Sequence, residues 1–392
     1  MEEEKKKKKE EKKFKILSLD GGGIRGILSA RLLKEVETIL KEKNKGELHE
    51  YFDLIAGTST GSILAAGIAC HKTAEDLIQL YQDEGNNIFL PRVRWERKLR
   101  LLGRLFGSNA LYPHKSGEQG LANVLKRQLI HKELGKSPSI ADIEEPQLLI
   151  LAYNVLSRYT EWFANDDPTE WYYKNNIELW KICTASASAP TYFPPYNLPS
   201  SLDRKQDIPH IDGGVSANNP ELPAIAHALC MKRKENTPPL KIEDIAVLSI
   251  GTGQTTRPYT YTEIKNWGLL KWVANMPNIF LNPPAINSEE ITKRMFLKLE
   301  HQNYLRLDFR LNKTLEKGEI LKKPYNEYLF KKKGEKIKIS EDIDDPELCK
   351  NLIEVAECYL DCGDVHYKIE SDKREYIKVR DAIEQFIDSN DQ

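Results

Sequence analysis

A serine stands between two glycines in the segment Gly57-Thr58-Ser59-Thr60-Gly61, which has the pattern Gly-x-Ser-x-Gly. In this pattern the serine lies on a tight turn from a strand into a helix, and the glycines admit the strained backbone. The residues around it predict a strand over 51–56 and a buried helix over 62–69. Ser59 is therefore predicted at a helix N-terminus, where the dipole and free amides favour an attacking oxygen. The alternative is a small-residue turn in a parallel sheet.

A second glycine-rich segment, Asp20-Gly21-Gly22-Gly23-Ile24-Arg25-Gly26, precedes the serine turn. A strand pattern over residues 14–19 leads into it, and an amphipathic helix pattern over 27–36 follows. Such a loop exposes unpaired amides, which bind a phosphate or an oxyanion that develops in a transition state. The glycines also fit the dinucleotide fingerprint, but that fingerprint expects an acidic residue about 20 positions later, at the end of a second strand. Residues 40–46 form a charged helix end instead, which favours the oxyanion interpretation over a nucleotide-binding module.

A base for the serine is offered by Asp212-Gly213-Gly214, which ends a short apolar strand pattern. The two glycines allow a sharp turn, so the carboxylate can reach the same sheet edge as Ser59. A carboxylate that is partly desolvated and within hydrogen-bond reach can accept the serine proton directly. Two alternatives stay open. The segment can be merely a turn, or His210, on the same strand face as Asp212, can complete a Ser-His-Asp triad.

Taken together, these motifs resemble the patatin-like phospholipase family in order and spacing. The resemblance continues through segments 185–195 and 245–253, so it spans about residues 14 to 255. It implies a three-layer α/β/α sandwich with a mostly parallel central sheet. It also implies hydrolysis of fatty acyl esters of membrane glycerolipids, without cofactor, metal or catalytic histidine. Carried over by position, Ser59 is the nucleophile, Asp212 is the base, and Gly22 and Gly23 form the oxyanion hole. The residues that would shape the motifs are Gly21, Arg25, Gly26, Gly57, Gly61, Gly213 and Gly214.

The composition fits one large globular unit. The 392 residues carry 58 basic and 59 acidic side chains, which gives no overall attraction to nucleic acid. We predict a disordered charged tail over residues 1–13, a catalytic core over 14–255, and a C-terminal elaboration of the same domain over 256–392. Residues 346–362 and 372–388 of that elaboration predict helices.

The cysteines and the start of the chain bear on its compartment. Six scattered cysteines fit a reducing compartment, and the spacing of Cys358, Cys362 and His366 is unlike a structural zinc site. The first residues are charged and lack the apolar core of a secretory signal. A cytoplasmic protein, at most peripheral to a membrane, is expected.

One segment could carry the protein to a lipid surface. Residues 89–106 interleave six Lys and Arg with tryptophan, leucine and phenylalanine, and contain one acidic residue. This composition is typical of interfacial helices, whose basic groups meet phosphates while apolar groups enter the headgroup boundary. The alternative is a surface loop and helix over the mouth of the active site. The sequence makes no prediction of oligomeric state.

Overall fold

One sheet organises the chain, and helices cover both of its faces. The computed structural model describes residues 13–101, 111–199, 207–232, 237–254, 259–269, 271–272, 275, 282–297, 303–311, 314–316, 319–321, 342–370 and 373–391. Several predicted segments fall partly outside these residues, namely positions 1–12 of the charged tail, positions 102–106 of the segment 89–106, position 372 of the helix predicted over 372–388, and parts of the C-terminal elaboration over 256–392.

The main sheet is mixed and mostly parallel. Its strands are β1 (Phe14–Leu19), β2 (Leu54–Thr58), β3 (Gln147–Asn154), β4 (Tyr159–Ala164), β5 (Tyr196–Pro199), β6 (Asp207–Asp212), β7 (Ile245–Ile250) and β8 (Tyr304–Leu307). The order is β5-β6-β3-β2-β1-β7-β8, with β4 paired to β3. Strands β3, β2, β1, β7 and β8 run parallel, whereas β4 and β6 pair antiparallel with β3. Two antiparallel pairs lie outside this sheet: β9 (Thr314–Glu316) with β10 (Glu319–Leu321), and β11 (Asp364–Glu370) with β12 (Lys373–Lys378).

The helices of the described residues are α1 (Gly26–Glu42), α2 (Leu48–Tyr51), α3 (Thr60–Ala69), α4 (Ala74–Ile88), α5 (Pro91–Leu101), α6 (Leu121–Gln128), α7 (Trp171–Lys174), α8 (Leu179–Ser186), α9 (Gly214–Ala217), α10 (Glu221–Cys230), α11 (Tyr261–Ile264), α12 (Asn282–Phe296), α13 (Cys349–Cys362) and α14 (Val379–Ser389). Short 3-10 turns lie at Gly23–Arg25, Ile140–Asp142, Ile242–Asp244 and Pro346–Leu348. Every residue of α3 is buried, as its small and apolar composition predicts. Within the described part of the chain, no helix combines the length and apolar character that crossing a bilayer requires.

The predicted three-layer sandwich is confirmed. Alternate residues of a strand face opposite layers, so Leu17 and Leu19 of β1 lie in the larger core with α1, α3 and α4. Ile16 lies instead in the second core, with Ala224 and Ile225 of α10. Because both faces are covered, the central strands β1, β2 and β7 are buried along nearly their whole length rather than on alternate residues.

Strand β3 brings two strand ends together. Its residues 149–151 pair with β2 and β4 at once, and its residues 152–154 pair with β4 and β6. Both β2 and β6 must therefore occupy the edge of β3 opposite β4. The register puts Thr58 opposite Leu151 and Asp212 opposite Ala152. The carboxyl ends of β2 and β6 thus converge from opposite directions on the same edge of β3.

Residues beyond position 255 share the core of the residues before it. Strand β8 lies parallel beside β7, and α13 and α14 pack against α1. The predicted helix over 346–362 matches α13, whereas the one over 372–388 is wrong in its first turns. There β12 pairs with β11, and this pairing satisfies the backbone of a segment that contains the strand formers Tyr376 and Ile377. The predicted boundary at residue 255 stays a prediction.

Candidate active site

Ser59 lies on the turn between β2 and α3, with backbone angles φ 54° and ψ −122°. A positive φ is costly for a residue with a side chain, so the surrounding structure has to hold it. A Cβ on Gly57 would collide with the carbonyl of Gly61, and a Cβ on Gly61 would collide with the carbonyl of Leu19. The two glycines are thus required because neighbouring backbone passes directly against them, as the sequence pattern predicts.

Ser186, at the end of α8, supports the strained turn. Its Oγ accepts a hydrogen bond of 2.9 Å from the amide of Ser59 and donates one of 2.7 Å to the carbonyl of Leu151. Two residues later, the carbonyl of Ser188 accepts a hydrogen bond of 3.0 Å from the amide of Asp212. Sequence reasoning placed Ser186 in a run of small residues and gave it no role. The signal that the sequence offers for this supporting role is the regular spacing of hydroxyl side chains in that run.

Ser59 and Asp212 contact each other directly. Ser59 Oγ donates a hydrogen bond of 2.6 Å to Asp212 Oδ2, and the amide of Gly214 donates one of 2.7 Å to Asp212 Oδ1. The two residues are 7% and 6% exposed. Burial raises the pKa of Asp212 to about 6, although hydrogen bonds from Ser59 and Gly214 oppose the rise. Such a carboxylate is ionised at neutral pH and is a stronger base than an exposed aspartate.

The glycines after Asp212 let the chain turn tightly beside the carboxylate. A Cβ on Gly213 would collide with the carbonyl of Leu151. A Cβ on Gly214 would lie 2.8 Å from Asn218 Oδ1 and 3.0 Å from Asp212 Oδ1. Both positions therefore exclude any side chain while the carboxylate keeps this orientation.

The glycine loop after β1 lies on the other side of Ser59. The amide of Gly21, the first glycine of the loop, donates to the carbonyl of Asn218 at 3.0 Å. Within the described residues, the amides of Gly22 and Gly23 have no hydrogen-bond acceptor. Gly23 has φ +59° and lines the same cavity as Ser59. Two unused amides beside a hydroxyl can receive negative charge that develops on a bound ester.

Arg25 and Gly26 tie this loop to the core. Arg25 is buried, and its Nη1 donates to the carbonyl of Gly253 at 3.2 Å. Its amide donates to the carbonyl of Gly22, also at 3.2 Å. A Cβ on Gly26 would collide with the hydroxyl of Thr60, the residue after Ser59. The loop and the serine turn are therefore packed directly on each other.

A model of the family described as Patatin-like phospholipase matches residues 17–225, which is more than half of the chain. The chain belongs to the patatin-like phospholipase family. Patatin-like protein 4 of Arabidopsis thaliana is 31% identical to it over 333 residues, which cover 78% of this chain and 77% of the relative. The cGAMP-activated phospholipase of Vibrio cholerae is 31% identical over 243 residues, 61% of this chain and 64% of the relative. Probable inactive patatin-3-Kuras 1 of Solanum tuberosum is 28% identical over 317 residues, 74% of this chain and 77% of the relative.

Membership of the patatin-like family confirms the resemblance seen in the sequence and supports a lipid hydrolase. One of the relatives is named as inactive. Membership alone therefore does not decide the activity of a given chain, and the case for this one depends on its own residues.

A buried ion network beneath the patatin-like glycine loop escaped sequence reasoning. Arg306 of β8 lies beyond the residues that the family model matches, and it donates to Asp20 Oδ1 at 2.9 Å and to Oδ2 at 2.6 Å. It also donates to Ser249 Oγ at 2.8 Å and to Asp308 Oδ2 at 3.0 Å. Although burial opposes it, the carboxylates of Asp20 and Asp308 raise the pKa of Arg306 above its ordinary value. Asp20 begins the glycine loop, so Arg306 anchors the loop at its origin.

His210 does not contact the Ser59–Asp212 pair. Its Nε2 lies 2.7 Å from Glu161 Oε2, and its Nδ1 lies 2.9 Å from the carbonyl of Ile208. The residue is fully buried, and both ring nitrogens face oxygen acceptors. Its contact with Glu161 links β6 to β4 across β3. Among the described residues, no group of three or more His, Cys, Asp and Glu is arranged to hold a metal ion.

An apolar cavity opens beside Ser59. Its volume is about 40 Å³, which is room for roughly three water molecules. The lining residues are Gly23, Ser59, Thr60, Ile63, Tyr81, Ile88, Phe89, Leu121, Ala187, Ala189, Tyr192, Phe193 and Ile343.

The basic helix α5, which is the described part of segment 89–106, faces an acidic segment that we call the acidic strap, residues 342–347. The ion pairs are Arg94 with Asp345 and Glu347, Arg97 with Asp344, and Lys98 with Asp345, at distances of 3.1 to 3.7 Å. The strap also contacts the glycine loop, because the carbonyl of Ile343 accepts a hydrogen bond of 2.8 Å from the amide of Ile24. Three basic side chains of α5, those of Arg94, Arg97 and Lys98, are therefore paired within the protein. The predicted membrane contact of segment 89–106 stays a prediction.

Proposed function

We propose that this chain is a lipid acyl hydrolase that cleaves fatty acyl esters of phospholipids or other glycerolipids through a dyad of Ser59 and Asp212. The observation that carries the proposal is the 2.6 Å hydrogen bond from Ser59 Oγ to Asp212 Oδ2 at a strained strand-to-helix turn. The family supplies the substrate class, since its members include a protein named as a phospholipase.

In the first half of the reaction, Ser59 Oγ attacks the ester carbonyl while Asp212 Oδ2 takes its proton. The carbonyl oxygen becomes an oxyanion, and the free amides of Gly22 and Gly23 donate hydrogen bonds to it. Collapse of the tetrahedral intermediate breaks the bond to the alcohol oxygen. That oxygen takes the proton back from Asp212 and leaves as the lysolipid, while the acyl group stays on Ser59.

In the second half, Asp212 takes a proton from water, which attacks the acyl carbonyl of the acyl-enzyme. The same two amides stabilise the second oxyanion. When the intermediate collapses, Ser59 Oγ regains its proton from Asp212 and the fatty acid leaves. Asp212 is ionised again at the end, so each cycle consumes one ester and one water molecule.

The two alternatives from the sequence find less support. A Ser-His-Asp triad would need a histidine nitrogen at Ser59 Oγ, but that oxygen already bonds to Asp212 and both nitrogens of His210 are engaged elsewhere. A nucleotide-binding role for the glycine loop would suit a polar cleft. Gly23 instead borders a cavity lined by aliphatic and aromatic side chains.

Active-site labelling and substitution together test the proposal. A fluorophosphonate probe should modify the wild-type chain at Ser59, as located by mass spectrometry, and Ser59→Ala should lose labelling and release of fatty acid from phospholipid vesicles. Ser116→Ala, a change at an exposed serine outside the site, serves as the matched control and should behave as wild type. Release of fatty acid by folded Ser59→Ala at the wild-type rate would refute the assignment.

A further inference from the structure

We propose that the hairpin formed by β3 and β4 inserts into a phospholipid bilayer that carries anionic headgroups, and so brings the active site to its substrate. This inference rests on the proposed function, because it names how a glycerolipid reaches Ser59. The surface in question, the hairpin patch, consists of Val155 and Leu156 at the turn, Tyr159 and Trp162 on opposite faces of β4, and Val215 of α9.

The hairpin patch is a group of exposed apolar side chains. Its members are 37% to 49% exposed, and all residues from 155 to 159 lie at the surface. Val215 belongs to α9, and its neighbour Ser216 shares a hydrogen bond of 2.6 Å with Thr160 of β4. The patch therefore joins the hairpin to the short helix that follows Asp212. Aromatic and aliphatic side chains together are typical of surfaces that enter the headgroup boundary.

The position of the hairpin suits an approach of the active site to a bilayer. Ala152 lies opposite Asp212, and the turn of the hairpin begins three residues further along β3. At about 3.3 Å per residue, the turn lies roughly 10 Å beyond the level of Asp212 along the strand direction. Interfacial elements enter to depths of about 5–10 Å. Insertion of the turn would leave only a few ångströms between Ser59 and the depth at which glycerol esters lie.

The charges of the hairpin match a phosphate-bearing surface. Arg158 at the turn is exposed, and within the described residues it has no ion pair. The one acidic side chain between residues 154 and 163, that of Glu161, is buried and accepts hydrogen bonds from Asn154 and Trp171 besides its contact with His210. The turn and its flanks thus carry apolar groups and an exposed cation, and segment 154–163 itself presents no exposed carboxylate.

Helix α5 is the competing surface, and its contacts make it the weaker choice. Arg94, Arg97 and Lys98 already bind the carboxylates of the acidic strap. Binding to lipid phosphates would have to break these pairs. Among the side chains of α5 that the structure describes, only that of Trp95 is large, apolar and exposed. Binding of the hairpin to lipid would break no such ion pair, since its apolar groups and Arg158 are exposed already.

Vesicle flotation with five full-length variants, one of which is Arg158→Ser, tests the proposal. Leu156→Asp and Val155→Asp alter the hairpin turn, and Trp95→Asp alters α5. Leu134→Asp is the matched control, because Leu134 is 44% exposed and neighbours Lys132, whose amide donates to the carbonyl of Cys70 at the far end of α3. That end lies about 15 Å from Ser59 along the helix. Each variant is mixed with phosphatidylglycerol–phosphatidylcholine vesicles, and hydrolysis of a soluble short-chain ester is measured in parallel.

Both hairpin variants should bind vesicles at least about tenfold more weakly, because the turn loses an apolar contact and gains a charge. Hydrolysis of vesicle lipid should fall equally, while hydrolysis of the soluble ester stays at the wild-type rate. Leu134→Asp should bind as wild type, and Arg158→Ser should reduce the preference for phosphatidylglycerol. If the wild type bound vesicles but did not hydrolyse the soluble ester, the proposed function would be refuted. The inference about the membrane surface would still be supported.

Three results would overturn the inference. Hairpin variants could bind vesicles as tightly as the wild type does. Trp95→Asp alone could abolish binding, which would assign the contact to α5. Light scattering could instead show that the hairpin variants dissociate an oligomer, which would make the patch an interface between copies of this chain.

Discussion

Ser59 Oγ and Asp212 Oδ2 lie 2.6 Å apart although 153 residues separate them along the chain. The contact arises because β2 and β6 end against the same edge of β3, with Thr58 opposite Leu151 and Asp212 opposite Ala152. No charged side chain is needed to orient the carboxylate, since its other oxygen is held by the amide of Gly214. The pKa of this carboxylate is therefore set by burial and by two hydrogen bonds.

Replacement of Asp212 by Asn should remove activity and yet stabilise the fold. Burial raises the pKa of Asp212 from 3.8 to about 6. A group with a raised pKa stabilises the fold below its unfolded pKa, and this contribution is lost as the pH rises through the folded value. At neutral pH the ionised carboxylate therefore costs up to about 3 kcal/mol. Asn avoids this cost, because its oxygen can still accept from Gly214 while its amide donates to Ser59. Thermal unfolding at pH 7 should show a higher midpoint, and a lower one would contradict the argument.

The pH dependence of kcat/KM should show an acid limb near pH 6. Only ionised Asp212 can accept the proton of Ser59, so the rate should fall about tenfold for each unit below its pKa. A soluble ester assay between pH 4 and 9, with circular dichroism to verify folding, measures the limb. Burial raises the pKa of Asp20 to about 7. A limb near 7 that disappears in Asp20→Asn would assign the titration to that residue instead.

Gly23→Ala should lower kcat strongly. A Cβ at this position would collide with the carbonyl of Ile343, so the loop must move and an oxyanion donor is displaced. Loss of one such donor costs roughly 10² to 10³ in rate. Gly135→Ala is the matched control, because Gly135 has φ +64° and open space around it. If kcat fell by the same factor in Gly23→Ala and Gly135→Ala, backbone strain and not the oxyanion position would account for the effect.

Arg306→Met should destabilise the fold by about 3–5 kcal/mol, because it leaves buried carboxylates without a cation. Because the glycine loop is then no longer anchored, kcat should also fall by a larger factor than KM changes. The double variant Asp20→Asn with Arg306→Met should recover part of the lost stability, since one of the unpaired charges is then removed. Urea unfolding of the two single variants and the double variant measures this coupling. Strictly additive effects would argue against a direct role for the Asp20–Arg306 pair.

His210→Gln should affect stability rather than turnover. The change removes the imidazole from the buried carboxylate of Glu161, whereas Ser59 and Asp212 keep their contact. We expect a lower thermal midpoint with kcat near the wild-type value at a temperature where both proteins are folded. Glu161→Gln should behave in the same way. A folded His210→Gln protein as inactive as Ser59→Ala would restore the triad mechanism.

The sequence predicts the site where local turn chemistry leaves a signature. Gly57 and Gly61, and likewise Gly213, are needed because backbone passes against them, so short patterns identify their turns. The meeting of Ser59 with Asp212 depends on the register of β3. No local pattern encodes that register, and the resemblance to a family supplied the pairing.

Contacts between distant segments stayed hidden from the sequence. Arg306 is one arginine of a short strand, and its significance comes only from the carboxylates that the sheet packs around it. The basic segment 89–106 suggested a membrane helix because the sequence cannot show that the acidic strap lies against it. Charge patterns identify a surface only where the fold leaves the charges unpaired.

The link between Asp20 and Arg306 also sets a time for maturation of the enzyme during its synthesis. The two residues are 286 positions apart, so at about 5–20 residues per second Arg306 is made roughly 15 to 60 s after Asp20. Within that interval the glycine loop, the serine turn and then Asp212 are also made. The carboxylate at the origin of the loop still lacks its cation, and β8 cannot yet extend the sheet. The glycine loop thus acquires its anchoring cation only after Ser59 and Asp212 have both been made.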